Sequence, residues 1–347
     1  MPRELQPQRI LIVRLSAMGD VIHGIPVACA LRDAFPEAEI GWVVEGRNGD
    51  LLEGHPAIDH LIRVRRRWLK SRREVMRAAR ELRALRFDTT VDLQCLSKSA
   101  IAARLSGAPR RIGYAGPLGR EVSKLLNNER IAVSADHVID RYLALAHYLG
   151  AGHEPAAFRM PENPADQEFA KASLAELGLA EEPFAIVNPG AGWASKRWPP
   201  ERYGGLAARL QKEHGIRSLA VWGGAQEEPL AEQIVAASEG AAILAPATTM
   251  TQLASLSRHA RLFVGSDTGP LHLAVAVGTP SISLHGTSLA AETGAYGPAH
   301  RTVQAAYDDK PGRRRHNDDS AMRAITTEMV GEACGELLGT QPGLQTA

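Results

Sequence analysis

Cysteine is scarce in this chain: Cys29, Cys95 and Cys334 are the only three in 347 residues, widely spaced and odd in number. Neither a disulfide framework nor a C-x-x-C zinc site can be assembled from them, and such usage fits a reducing compartment. No apolar run reaches the roughly 18 residues a spanning helix needs, so none is expected. The first nine residues are polar and lack the apolar stretch of a secretory signal. An excess of either charge is missing too. Lys and Arg number 40 against 39 Asp and Glu, a net +1, and the bulk balance gives no reason to expect nucleic acid. What is there is an ordinary globular composition, 44% hydrophobic and 23% charged, over a length that favours two cores.

Short apolar runs alternate with helix-period segments. Runs at 10–13, 40–44, 61–64 and 89–93 read as buried strands, with helical stretches at 18–35, 49–53 and 71–85. Pro26 lies within the first of these, so that helix either kinks there or begins there. The alternation restarts with strands at 184–187, 218–222, 262–265 and 281–284 and helices at 201–214, 228–237, 251–259, 270–277 and 326–338. This pattern predicts an α/β class with parallel sheets covered on both faces. The segment 151–183, carrying Pro155, Pro161, Pro164 and Pro183, is the linker candidate. We expect two doubly wound, Rossmann-like domains, 1–165 and 166–347, facing across a cleft, with the last helix free to pack back on the first. The charged run 308–319 reads as a solvated loop.

Open parallel sheets bind ligands beyond the carboxyl ends of their strands. Asp20 follows the first strand across Ser16-Ala17-Met18-Gly19, which is not the G-x-G-x-x-G dinucleotide fingerprint. A carboxylate there can take a proton from a hydroxyl, or simply cap the next helix, and position alone favours the cap. In the second half, Asn188-Pro189-Gly190-Ala191-Gly192 lets backbone amides approach a ligand, and Lys196 with Arg197 can neutralise a leaving pyrophosphate. Glu227 and Glu228, just past the 218–222 strand, are placed like a ribose-binding acid or a helix-start acid. The sharpest segment is Gly265-Ser266-Asp267-Thr268-Gly269-Pro270-Leu271-His272. Pro270 suits the first helical position, the amides after it would attract a diphosphate, and His272 can add a donor.

Six segments resemble glycosyltransferase family nine, the bacterial lipopolysaccharide heptosyltransferases. They are Met18-Gly19-Asp20-Val21-Ile22-His23, Trp42-Val43-Val44-Glu45, Asp92-Leu93-Gln94 with Lys98-Ser99, Lys196-Arg197-Trp198-Pro199, Trp222-Gly223, and Asp267-Thr268-Gly269-Pro270-Leu271-His272. The resemblance implies a GT-B fold and transfer of a heptose from ADP-heptose onto the Kdo-lipid A inner core, with inversion. It implies Asp20 as general base, Lys196 as phosphate and ribose contact, Glu227 as ribose ligand, and Asp267, Thr268, Gly269 and His272 as donor pocket. It also implies no required metal and no cofactor beyond the nucleotide-sugar donor.

In the same family the region matching Arg66-Arg67-Trp68-Leu69-Lys70 faces an anionic sugar, so Arg66, Arg67 and Lys70 become acceptor contacts, with Lys98 and Arg120 beside them. Read alone, that stretch is a solvated basic face. The expected partner is a lipid-linked sugar at the inner membrane surface, met from the cytoplasmic side by a peripheral protein, as a monomer. Cys95 departs from the pattern: relatives often carry glycine after the glutamine. Rival readings are a GT-B transferase or epimerase for another nucleotide sugar, and a protein that binds nucleotide sugar without turnover.

Overall fold

The computed structural model describes residues 6–307 and 318–339. All but the last two residues of the charged run 308–319 therefore lie outside the described residues. The chain divides into two compact units, residues 1–161 and 162–347.

The first unit holds β1 (Arg9–Val13), α1 (Met18–Ala34), β2 (Glu39–Glu45), β3 (His60–Val64), α2 (Arg72–Ala84) and β4 (Thr89–Asp92). It continues with α3 (Ser97–Leu105), β5 (Arg110–Tyr114), α4 (Ser123–Leu126), β6 (Glu129–Ile131) and α5 (Val138–Leu149). Its six strands run in the order β3-β2-β1-β4-β5-β6 and every pair is parallel. β1 is an unbroken apolar run because helices cover both faces of a parallel sheet; Ile10, Leu11, Ile12 and Val13 are all fully buried.

The second unit repeats the plan. It contains α6 (Pro164–Glu176), β7 (Phe184–Asn188), α7 (Pro200–His214), β8 (Arg217–Ala220), α8 (Glu228–Ala236) and β9 (Ala242–Leu244). After these come α9 (Met250–His259), β10 (Leu262–Ser266), α10 (Gly269–Ala276), β11 (Ser281–Leu284), α11 (Ala290–Thr293), β12 (Arg301–Val303), α12 (Ser320–Arg323) and α13 (Thr327–Gly339). The order β12-β11-β10-β7-β8-β9 is the first sheet's order with its sequence numbers advanced by one unit, and again all pairs are parallel.

Several elements differ from the sequence reading. Thirteen residues of the proline-rich candidate linker are helix α6, capped by Asn163, whose side chain accepts from the Ala165 amide, with Pro164 in the first turn. Asn-Pro is a helix start here, and α6 packs on α9. α1 runs straight through Pro26. Residues 46–52 form a 3₁₀ segment rather than an α-helix. β5, β6 and β12 carry too few apolar residues to register as runs, and β9 is apolar but only three residues long. The last helix buries Val330, Cys334, Leu337 and Leu338 in the second unit's core. There Trp198, fully buried, donates from Nε1 to the Ile325 carbonyl at 2.9 Å. A buried indole of this kind contributes about 3–5 kcal/mol against alanine.

Candidate active site

In a doubly wound sheet the strand order reverses at one point, and the two loops leaving the strands there open a crevice. In the first unit that point lies between β1 and β4. In the second it lies between β7 and β10. These four loops carry Asp20, Lys98, Lys196 and Asp267.

Asp20 sits in the first turn of α1. Its Oδ2 accepts the Ala17 amide at 3.1 Å and pairs with Arg14. The cap and the candidate base are thus the same side chain. Among the described residues nothing donates to Oδ1, so one carboxylate oxygen is anchored and the other is open, and the side chain is 38% exposed. Arg14 was missed in the sequence because it reads as a lone charge closing an apolar run. It is buried, lies 5.4 Å from the Tyr142 ring centroid, and reaches the Leu93 carbonyl at 3.4 Å. Burial works to lower its pKa; Tyr142 and Asp20 outweigh that and raise it.

Lys98, at the start of α3, donates to Ser16 Oγ at 2.6 Å and pairs with Glu45 Oε2 at 3.0 Å. Glu45 Oε1 accepts the Arg67 amide at 3.0 Å. One carboxylate at the end of β2 therefore ties the Asp20 turn to the basic loop. Arg66, Arg67 and Lys70 are exposed on that loop and make no ion pair among the described residues, while Trp68 plugs it into the core. Arg120 is exposed on the far side of the β4 loop, its amide donating to the Cys95 carbonyl at 3.2 Å.

Cys95 has φ +46°, the left-handed region, which accounts for a glycine preference at that place. Its thiol sits instead where Sγ accepts the Tyr114 amide at 3.2 Å and donates to the Asp92 carbonyl at 3.0 Å. Burial pushes the thiol's pKa far up, which leaves it an inert packing group. Asp92 itself is fully buried and accepts from the Gln94 and Cys95 amides and from Asn127. It braces the turn.

In the second unit Lys196 Nζ stands 2.5 Å from Asp267 Oδ2, and His272 Nε2 stands 2.9 Å from Asp267 Oδ1. A carboxylate oxygen only accepts, so His272 carries its proton on Nε2. Burial would raise the Asp267 pKa; the His272 hydrogen bond and the Lys196 charge hold it well below the usual carboxylate range. Thr268 caps α10 in extended conformation, its hydroxyl donating to the Ser266 carbonyl at 3.1 Å. Pro270 is the second helical residue. Lacking an amide hydrogen itself, it leaves Gly269 and Leu271 to supply the free first-turn donors. Arg197 turns away from this cluster, Nε and Nη2 each 3.3 Å from the Ala191 carbonyl.

A fourth member of the cluster escaped the sequence reading. His285 follows β11, and the register Ser266↔Leu284 sets it level with Asp267. It is fully buried, with Nδ1 3.1 Å from Ser288 Oγ, and burial lowers its pKa to about 4. The signal was available: a polar residue ends each apolar run of this sheet's centre, as Asn188 and Asp267 also do.

Glu227 stands at the start of α8, and its Oε2 accepts the Gly223 amide at 2.9 Å. A Cβ added to Gly190 would lie 2.2 Å from that same oxygen. Only glycine at 190 leaves the carboxylate its place between the β7 and β8 loops. Gly190→Ala should therefore push the Glu227 carboxylate off the Gly223 amide while the unfolding midpoint holds. The blocked atom is the movable end of a side chain, so Glu227 swings away and the fold survives. Thermal unfolding beside a crystal structure of the variant checks this. Among the described residues no group of three or more His, Cys, Asp or Glu gathers in a metal-holding arrangement, and no helix is long and apolar enough to cross a membrane.

The family model for glycosyltransferase family 9 (heptosyltransferase) matches residues 75–322. The chain belongs to glycosyltransferase family 9. That span includes Lys196 to His272 but not Asp20; whole-chain comparisons reach further. The lipopolysaccharide heptosyltransferase 1 of Pseudomonas aeruginosa is 30% identical over 298 residues, covering 83% of this chain and 81% of that protein. A crystal structure of a family 9 glycosyltransferase from Veillonella parvula matches with TM-score 0.81 at 23% identity, covering 97% of this chain and 99% of that one. The Escherichia coli heptosyltransferase WaaC with ADP-2-deoxy-2-fluoro heptose gives 0.73 at 24% identity, covering 94% and 99%. The family 9 chain is thus a glycosyltransferase built on the GT-B fold.

Proposed function

We propose that this family 9 enzyme moves a heptose from ADP-heptose onto the Kdo-lipid A inner core of lipopolysaccharide by one inverting displacement. One observation carries the reading: each unit collects its chemistry at its own switch point. The first has a half-open carboxylate, Asp20, and the second a Lys196–Asp267–His272 cluster beside the α10 N-terminus. The names of the relatives, a lipopolysaccharide heptosyltransferase 1 and a heptosyltransferase with an ADP-heptose analogue, support heptose and ADP as the donor's parts.

In this reading the diphosphate rests against the Gly269 and Leu271 amides. Lys196 spends two of its three N–H groups on Asp267 and keeps one for a phosphate oxygen. Glu227 takes the ribose hydroxyls. The acceptor hydroxyl attacks the anomeric carbon, the bond to the ADP oxygen breaks with its electron pair leaving on ADP, and Oδ1 of Asp20 receives the hydroxyl proton. The hydroxyl acidifies as its new bond forms, so an arginine-anchored carboxylate suffices as base. The transition state has oxocarbenium character, and Lys196 with the helix amides offsets the charge growing on ADP without a metal. Arg66, Arg67, Lys70 and Arg120 are free to grip acceptor carboxylates. Lys98 is largely spent on Ser16 and Glu45, and its part is to hold the Asp20 turn. The lipid-linked acceptor places the enzyme at the cytoplasmic face of the inner membrane.

Mass spectrometry of Kdo-lipid A incubated with ADP-heptose should show one added heptose per ADP released, with the anomeric configuration inverted in the product's NMR spectrum. Donor bound without ADP release in the presence of acceptor would sink the reading.

A further inference from the structure

One surface of the first unit is used by none of this chemistry. The connection from β5 to β6 makes a single helical turn, α4, with Ser123 buried beneath it and Leu126 half-buried. Three-residue spacing then turns Val122 and Leu125 together to the outside. They are 41% and 83% exposed, the latter the most exposed large apolar side chain among the described residues. One exposed leucine is ordinary. This pair stands among cations. Lys124 lies on the same turn, and Arg130 donates to the Lys124 carbonyl at 2.9 Å. Arg104, at the end of α3, is close enough to Arg111 to depress its pKa, after burial, while Arg111 donates to the Leu126 carbonyl at 2.7 Å. Arg104, Lys124 and Arg130 are all exposed and make no ion pair among the described residues. The one acid on the turn, Glu121, is itself exposed, but its carboxylate is engaged by the Ser97 amide at 2.9 Å and the Ser97 hydroxyl at 2.6 Å.

We infer that this α4 face seats the enzyme on an anionic lipid bilayer, with Val122 and Leu125 entering the headgroup–acyl boundary and the three cations holding lipid phosphates. Apolar side chains ringed by unpaired cations are what such a boundary binds, each buried side chain and each cation adding to the affinity. The placement suits a lipid-linked acceptor, and to that extent the inference rests on the function proposed above. Glu121 is joined to Ser97, Ser97 is followed by Lys98, and Lys98 holds the Asp20 turn through Ser16. The face thus borders the strand-end rim where the acceptor hydroxyl must arrive.

Co-sedimentation with vesicles tests it. The parent protein should bind vesicles containing phosphatidylglycerol, bind phosphatidylcholine vesicles far less, and lose binding as salt is added. The double variant Leu125→Asp/Lys124→Glu should bind phosphatidylglycerol vesicles at least about tenfold more weakly. Its unfolding midpoint and its heptose transfer to a deacylated, soluble acceptor should match the parent's. Equal binding by parent and variant, or no preference of the parent for the anionic vesicles, overturns the inference. So does a variant that changes the oligomeric state in analytical ultracentrifugation, which would make the face a protein contact. Transfer to the soluble acceptor without vesicle binding removes the face and spares the function; vesicle binding without transfer does the reverse.

Discussion

Asp20→Asn should leave a folded protein that transfers sugar about a thousandfold more slowly, in kcat rather than in donor KM. A positioned general base is worth roughly 10²–10⁴ in rate. The amide keeps the shape of the side chain and can still accept the Ala17 N–H, but it has no oxygen basic enough to take the hydroxyl proton. On the proposed function the donor binds to groups of the other unit, so its KM should hold. The obvious objection is that the variant strips Arg14 of its counter-ion and unfolds. Shape decides against that: the Asp20 side chain is 38% exposed but that of Arg14 only 9%, and the asparagine keeps an oxygen in place to accept from the buried guanidinium. The stability cost then lies between the roughly 1 kcal/mol of an exposed pair and the roughly 3 kcal/mol of a broken buried one, which leaves the protein folded. ADP release followed beside thermal unfolding separates the two effects. Activity within a few-fold of the parent would end the assignment of Asp20 as base and return it to a helix cap.

Asp267→Ala should do the opposite, damaging fold and donor binding together. The pair it breaks is enclosed, with side-chain exposures of 10% for Asp267 and 17% for Lys196. Removing one partner of a buried pair strands the other, at about 3–5 kcal/mol. The double variant Asp267→Ala/Lys196→Met should regain much of that stability, because no orphaned charge remains, and still bind donor poorly. The sign with pH follows from Asp267 being held well below the usual carboxylate range, by His272 and Lys196 against the opposing push of burial. A depressed carboxylate contributes stability that is complete above its unfolded pKa of about 4 and is lost as pH falls through the lower, folded value. Denaturant unfolding at pH 7 and pH 3 should therefore show the gap between parent and double variant narrowing in acid. A single variant that unfolds with the parent would mean the cluster does not support the fold.

The strand-helix alternation, the doubly wound class and the residue types of both sites were legible because each depends on local pattern. Apolar runs of four or five residues mark strands buried on both faces, and the polar residue ending each run marks a crevice. α6 was hidden by its prolines, and the 3₁₀ turn at 46–52 by its resemblance to a short helix. Arg14 and His285 were hidden by something deeper. A cation in a strand and a histidine after one look structural until their neighbours are known, and those neighbours are 6 and 18 residues away in sequence.

Sequence alone determined where the strands begin, that their ends carry Asp20, Lys98, Lys196 and Asp267, and that no cysteine framework supports the fold. Tertiary structure decided which of those ends meet. β1 lies beside β4 and β7 beside β10 only because right-handed crossovers carry the chain to either side of the first strand. That placement sets Lys98 against the Asp20 turn and Lys196 against Asp267, over separations of 82 and 71 residues. It also makes one carboxylate both the helix cap and the candidate base, because the strand end holds Arg14 and the α1 turn on the same oxygen.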